Sequence, residues 1–301
     1  MRRPVLVPLD GSTFAEHALP YASLAAARLQ ASLELVLVHS SYSVATMDAA
    51  IHETVERWQT DQRAREADYL AAVAGRVLAE CGVEARPVLL TGGVAGALAH
   101  YAARTSPDLI VMTTHGRGGL ERAWLGSVAD GVIRQVAAPV LLIRPSDTEP
   151  GLGERRPLFR HVVVALDGSE LAEHALQTVR GLVEDDIRIT LLRVVLPPRR
   201  PVSSYPPHAA LLSRGLTEDR AQEAEDYLQQ VAARLRTRYQ RVEPHVLTDY
   251  HPAAAIVRWA REQAADGIAL STHGRAPALR LLLGSITDEV VRRGSVPVLV
   301  G

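Results

Sequence analysis

Two stretches of the 301-residue chain open on the same four residues and end in Gly-Ser after the same interval. They are THGRGGLERAWLGS, Thr114–Ser127, and THGRAPALRLLLGS, Thr272–Ser285. Residues of these types at this spacing suit anion binding. A helix that begins at Gly-Ser presents free backbone N–H groups and the positive end of its dipole. Gly126 and Gly284 let a ligand approach the backbone closely. Gly116, Gly118 and Gly119 can shape an N–H-lined concavity facing that helix end, with charge from Arg117 and a hydrogen bond from His115. A purely structural reading fits the same residues. Ser127 with Asp130, and Ser285 with Asp288, match the helix-capping pattern [ST]-x-x-[DE], in which the serine caps and nothing binds. A dinucleotide fingerprint GxGxxG is not met, because Glu121 stands three residues after Gly118.

Asp10 and Asp167 form a second pair. Each follows a short apolar run and precedes Gly-Ser. Asp-Gly is a strong turn dipeptide, so turn formation alone accounts for it. The chemical alternative is a carboxylate at a strand end that accepts a hydrogen bond from a base or a ribose. His17 and His174, in the AEHAL segments that follow, are read as packing or surface residues without chemistry.

The elements that must hold these groups occur twice. Pro4–Leu19 lies over His161–Leu176 with 11 of 16 residues identical, DYL recurs at Asp68 and Asp226, and the run at Pro139–Ile143 returns at Pro297–Gly301. The offset is 157 early and 158 later. A repeat this long means tandem domains: 1–145, a Pro/Gly/Arg-rich linker at 146–157, and 158–301. In the first copy, apolar runs Val5–Leu9, Leu33–Val38, Ala85–Leu90, Leu109–Thr113 and a final VLLI alternate with helices near Thr13–Gln30, Ile51–Glu80, Val94–Arg104 and Val128–Val136. Gly82 suits the C-cap of the long helix. Alternating β and α with nearly continuous apolar strands predicts an α/β fold with a parallel sheet covered on both faces. Ligands of such sheets sit beyond the carboxyl ends of the strands, at the switch point. Both the Asp-Gly-Ser turn and the Thr-His-Gly-Arg loop fall on that edge. The Pro-rich stretch Pro197–His208 reads as an irregular crossover.

Composition narrows the functions. Formal net charge is -1, which predicts no nucleic-acid partner. No apolar run reaches the roughly 20 residues of a membrane span, and the opening MRRPVLVPLDGS reads as a strand; a cytoplasmic protein is expected. The one cysteine, Cys81, excludes an intrachain disulfide and a CxxC metal site. The chain has no lysine, all 33 basic residues being arginine, so a P-loop and lysine Schiff-base chemistry are excluded.

Together these features resemble the universal stress protein family in its tandem form, over nearly the whole chain. The family pattern G-x2-G-x9-G-[ST] is met in its last two elements by Gly116 with Gly126-Ser127 and by Gly274 with Gly284-Ser285. The family's first-strand Asp matches Asp10 and Asp167, and the residue flanking adenine after the second strand falls at Ser40 and Val194. The resemblance extends the expected nucleotide contacts to Pro8, Thr113, His115, Arg117, Gly119 and Val128 in the first half. In the second it extends them to Ala165, Ser271, His273, Arg275 and Ile286. It implies two Rossmann-like domains of the adenine nucleotide alpha hydrolase-like kind, each a five-stranded parallel sheet of order 3-2-1-4-5. It also implies ATP (or AMP/ADP) as ligand, Mg²⁺ entering with the phosphates, and no metal site of the protein's own. The implied role is a stress-response sensor or regulator with an unknown protein partner, the halves pairing with each other or with a second chain. A slow ATP-hydrolysing enzyme on the same fold and a nucleotide-free interaction module are the alternatives.

The chain departs from the family pattern at several points. Thr113 and Ser271 replace its first glycine. Ser40 is polar where the family is usually apolar. Ala276-Pro277 replace Gly118-Gly119, and Pro removes an N–H donor. Tyr250 is expected to replace Gly92 and to fill or restructure the second pocket. Binding is expected in both halves, with the first phosphate loop better formed.

Overall fold

The computed structural model describes residues 3–40, 49–114, 125–145, 151–197, 206–271 and 284–301. The chain divides into two units, Met1–Leu158 and Phe159–Gly301. In the first, the strands are β1 (Val5–Leu9), β2 (Leu33–His39), β3 (Ala85–Thr91), β4 (Leu109–Thr113) and β5 (Val140–Ile143). They lie in the order β3-β2-β1-β4-β5, and every pairing is parallel. The runs in β4 and β5 are buried at every position, as a sheet covered on both faces requires. β3 is half-exposed and carries Pro87, which an edge strand tolerates.

The helices are α1 (Thr13–Glu16), α2 (Leu19–Leu29), α3 (Ala49–Cys81), α4 (Val94–Thr105) and α5 (Ser127–Gln135). The single helix expected over Thr13–Gln30 is two. His17 and Ala18 form a turn, and Pro20 opens α2, where its missing N–H costs nothing. Gly82 ends α3 at φ +67, donating its N–H to the Leu78 carbonyl at 3.0 Å, as expected of a C-cap.

The second unit repeats the plan with β6 (His161–Ala165), α6 (His174–Leu182), β7 (Arg188–Val195), α7 (Pro206–Leu235), β8 (Arg241–Thr248), α8 (Pro252–Glu262), β9 (Gly267–Leu270), α9 (Ser285–Arg293) and β10 (Val298–Val300). Its strand order is β8-β7-β6-β9-β10, again parallel. Pro206, Pro207 and His208 lie in the first turn of α7, so the end of the Pro-rich stretch is helical after all. Proline is excluded only where an intrahelical N–H is needed, and the first turn needs none.

The ladders correct two equivalences between the halves. Leu33 pairs with Val5 and Ile189 with Val162, so the position after β2, Ser40, corresponds to Leu196. Val194 lies inside β7, paired with Leu247, and is not the residue after the strand. Nor does Tyr250 replace Gly92. The Gly92 N–H donates to the His39 carbonyl at 3.2 Å, and the Asp249 N–H donates to the Val195 carbonyl at 3.2 Å. The helices that follow are N-capped by Gly93 and His251. Tyr250 is therefore one extra residue in a longer loop. It is 58% exposed and projects to solvent instead of filling a pocket.

Candidate functional site

At the end of β1, Asp10 Oδ1 accepts the Ser12 N–H at 2.9 Å and the Ser12 hydroxyl at 2.5 Å. Ser12 Oγ in turn accepts the Ala15 N–H and caps α1. The second half copies this turn. Asp167 Oδ1 accepts from Ser169 N–H at 2.9 Å and Ser169 Oγ at 2.7 Å, and Ser169 Oγ accepts the Ala172 N–H at 3.1 Å. Gly11 and Gly168 sit at φ +80 and +89, a region that L side chains rarely adopt. Asp-Gly-Ser is thus a self-bonded turn that reverses the chain at the carboxyl edge. The turn role read from the sequence is real, and it uses one carboxylate oxygen. Among the described residues, Asp167 Oδ2 carries no hydrogen bond.

The strand beside this turn diverges. β1 runs to Leu9, yet its ladder to β4 covers only Val5 and Leu6. Pro8, which has no N–H to offer, lies past the last rung, and Ala165 is likewise past Val164, where the ladder to β9 stops. Meanwhile β4 stays paired with β5 through Thr113. The hydrogen-bonded ladder between β1 and β4 therefore stops short of their carboxyl ends. This is the switch point of the sheet, where neighbouring crossovers leave in opposite directions.

Just past β4, the Thr114 N–H donates to the Ile143 carbonyl at 2.9 Å, and the Gly126 N–H donates back to the Thr114 carbonyl at 2.8 Å. The chain leaves β4 and returns to the same residue to begin α5. The N-cap is Gly126, not Ser127, and the serine makes no side-chain cap bond. In the second half Gly284 is the N-cap, and Ser285 makes none either. The capping pattern expected from Ser127 and Ser285 is thus absent. Asp130 and Asp288 pair one turn on with Arg134 and Arg292, at 2.9 and 2.7 Å. The helical ladders begin at Asp130 to Gly126 and Asp288 to Gly284. The N–H groups of Ser127 and Val128, and of Ser285 and Ile286, thus lie ahead of them. Thr287 Oγ1 donates to the Ser271 carbonyl at 2.9 Å, fastening the second helix end to β9. Thr113 is buried at the end of β4, and Ser40 is exposed just past β2. His115, Gly116, Arg117, Gly119, His273, Gly274 and Arg275 lie outside the described residues.

Several side chains near this edge escaped the sequence reading. The Tyr69 hydroxyl donates to Glu16 at 3.0 Å, and Arg76 pairs with the same carboxylate. Tyr227, Glu173 and Arg234 do the same in the second half. Burial, then the hydrogen-bonded carboxylate, pushes both phenols above the usual tyrosine range. The repeated DYL and AEHAL segments contained four of these residues, but nothing local marked them. His39, 1% exposed at the end of β2, holds Glu66 through Nδ1 at 2.8 Å. Arg193 of β7 lies 5.4 Å from the Tyr227 ring centre. Among the described residues no three His, Cys, Asp or Glu side chains cluster as a metal site would need, and no helix is long and apolar enough to cross a membrane.

The fold and this edge define a tandem pair of Rossmann-like parallel α/β domains, each with a switch point at its carboxyl edge. The universal stress protein family model matches residues 1–144 and again 158–300. The chain belongs to the universal stress protein family. A universal stress protein of Synechocystis is 24% identical over 98% of this chain and 98% of its own length. One from Mycobacterium tuberculosis is 27% identical over 98% of this chain and 94% of its own. Among solved structures, that of a universal stress protein from Archaeoglobus fulgidus has the same fold at TM-score 0.64 and 19% identity, covering 100% of this chain and 98% of that one.

Proposed function

We propose that the chain is an adenine-nucleotide-binding stress protein, a sensor or regulator that takes ATP, ADP or AMP at the carboxyl edge of each half. The observation that supports this best is the ladder of β1 to β4 stopping short of the carboxyl edge, where the Asp10 turn and the start of α5 both lie. In the second half the ladder of β6 to β9 stops at Val164, with the Asp167 turn and the start of α9 at the same edge. The turn and the helix start offer complementary chemistry. A helix start supplies N–H groups and a positive dipole end for phosphates. The turn carboxylate can accept from a ribose hydroxyl or an amino group, and in the second half Asp167 Oδ2 carries no hydrogen bond among the described residues. Mg²⁺ would enter with the phosphates, since it needs few protein ligands.

The test is calorimetric titration of the purified chain with ATP and AMP, alongside analysis of any nucleotide that co-purifies. Two binding events are expected, the first half's the tighter. A chain that carries no nucleotide and takes up none overturns the reading. Release of ADP from bound ATP well above the uncatalysed rate would instead mark a hydrolase on this fold.

A further inference from the structure

Three side chains in each half, outside the expected ligand contacts, are joined in the same way. Glu16 ends the four-residue α1, which follows directly on the Asp10 turn. Tyr69 and Arg76 stand two turns apart on α3, hence on one face of it. The Tyr69 hydroxyl donates to Glu16 Oε1 at 3.0 Å, and the Arg76 guanidinium donates to Oε2. In the second half the Tyr227 hydroxyl donates to Glu173 Oε1 at 3.2 Å, and Arg234 Nη2 donates to Oε1 and Oε2 at 2.9 and 2.8 Å. Each clasp therefore ties the segment after the ligand turn to the C-terminal part of the longest helix of its half.

A helix of four residues cannot hold itself, because nucleation costs more than one turn of hydrogen bonds returns. Ser12 fixes the turn locally, and the clasp connects the segment after it to α3. Tyr69 lies near enough to Asp10 that the aspartate's charge adds to the upward push on its phenol. In the second half the path is continuous. The Arg193 guanidinium lies against Gly168, 2.9–3.0 Å from where a Cβ would stand there, and its Cζ is 5.4 Å from the Tyr227 ring centre. Turn, guanidinium, phenol and carboxylate thus form one chain of contacts. The first half has Leu37 at the place of Arg193 in the strand register, and a leucine cannot make that link.

We propose that Glu16, Tyr69 and Arg76, and likewise Glu173, Tyr227 and Arg234, are positioning residues. They hold the Asp10 and Asp167 turns in the geometry that takes ligand, and they carry occupancy of each site to α3 and α7. This rests on the nucleotide reading above. Coupling of this kind is reciprocal: whatever the long helix gives to the site, the site gives to the long helix.

The experiment is hydrogen exchange by mass spectrometry with and without saturating ATP, on the full chain and on Tyr69→Phe and Tyr227→Phe. ATP is expected to slow exchange in the C-terminal parts of α3 and α7. Each phenylalanine is expected to remove that effect in its own half only and to weaken ATP there about three- to ten-fold, the worth of one hydrogen bond. Glu16→Gln, which keeps an acceptor for Tyr69, is the milder variant and is expected to retain part of the coupling. Melting of the ligand-free variants shows that they fold. A wild-type chain that binds ATP while exchange in α3 and α7 stays unchanged overturns the coupling alone, as do tyrosine variants that leave affinity and protection intact. A wild-type chain that binds no ATP in calorimetry removes the nucleotide reading as well.

Discussion

Asp167 allows the turn-forming and ligand-binding roles of one carboxylate to be measured apart. Its Oδ1 accepts two hydrogen bonds, from Ser169 N–H at 2.9 Å and Ser169 Oγ at 2.7 Å. Each is worth about 0.5–1.5 kcal/mol net, so Asp167→Ala is expected to cost about 1–3 kcal/mol. For a unit of the size of Phe159–Gly301 that lowers the melting temperature by roughly 3–10 °C. Asp167→Asn keeps a carbonyl oxygen at the same place and can accept both bonds. Its stability is expected to stay within about 0.5 kcal/mol of wild type, the range of a surface change that removes no contact. The asparagine nevertheless removes the charge from the edge of the switch point. One of the two ATP binding events should weaken about ten-fold, the loss when a charge-assisted hydrogen bond becomes a neutral one. Scanning calorimetry without ligand and titration with ATP read the two effects separately. An asparagine variant that melts as low as the alanine variant would refute the turn argument. Asparagine and alanine variants that both bind ATP as wild type would refute the ligand argument.

Other predictions follow from packing and protonation. His161 is buried, with Nδ1 3.3 Å from the Gln263 carbonyl and Nε2 2.9 Å from Thr190 Oγ1, partners that suit a neutral ring donating through Nδ1 and accepting at Nε2. Burial first, then the Arg188 charge, holds its pKa below the ordinary 6.5. The unfolded chain therefore takes the proton first as pH falls, and the stability this residue provides is intact above about 6.5 and lost below it, through the lower folded value. Thermal melts between pH 8 and 5 should show this loss, and His161→Gln should flatten it. Glu243 responds in a separate, more acid window. Its hydrogen bond from Arg188 depresses its pKa below 4.5, so its contribution is present above that value and disappears as pH falls through the folded one. Gly267→Ala would place a Cβ 2.6 Å from Cδ1 and Cε1 of the buried Phe159 ring. It should cost about 1–3 kcal/mol in chemical denaturation, and Phe159→Leu in the same chain should recover part of it, which non-contacting residues would not do.

The repeat, the Asp-Gly-Ser turns, the Gly-Ser helix starts and the continuous apolar strands were all legible along the chain. Each is a local pattern, set by a few neighbouring residues and the conformations they allow. The alternation of strand and helix pointed to a parallel sheet, whereas the order 3-2-1-4-5 came from the family resemblance and is the order the ladders show. Ser127 and Ser285 show where local reading stops. The pattern marks both as caps, yet in the first half the Gly126 N–H bonds back to the Thr114 carbonyl, and the glycine, not the serine, is the N-cap. Ser40 and Leu196, and the extra Tyr250, show the same limit. Only the hydrogen-bonded ladders reveal that the halves differ in register by one residue at these edges. The Glu–Tyr–Arg clasps span 53 to 61 residues of sequence, a separation no periodicity bridges. Residue order along the chain was enough to choose the elements and their turns, because those choices are local. Which side chains meet was left to the packing of α3 and α7 back onto their sheets, because that contact exists only once the crossover has closed.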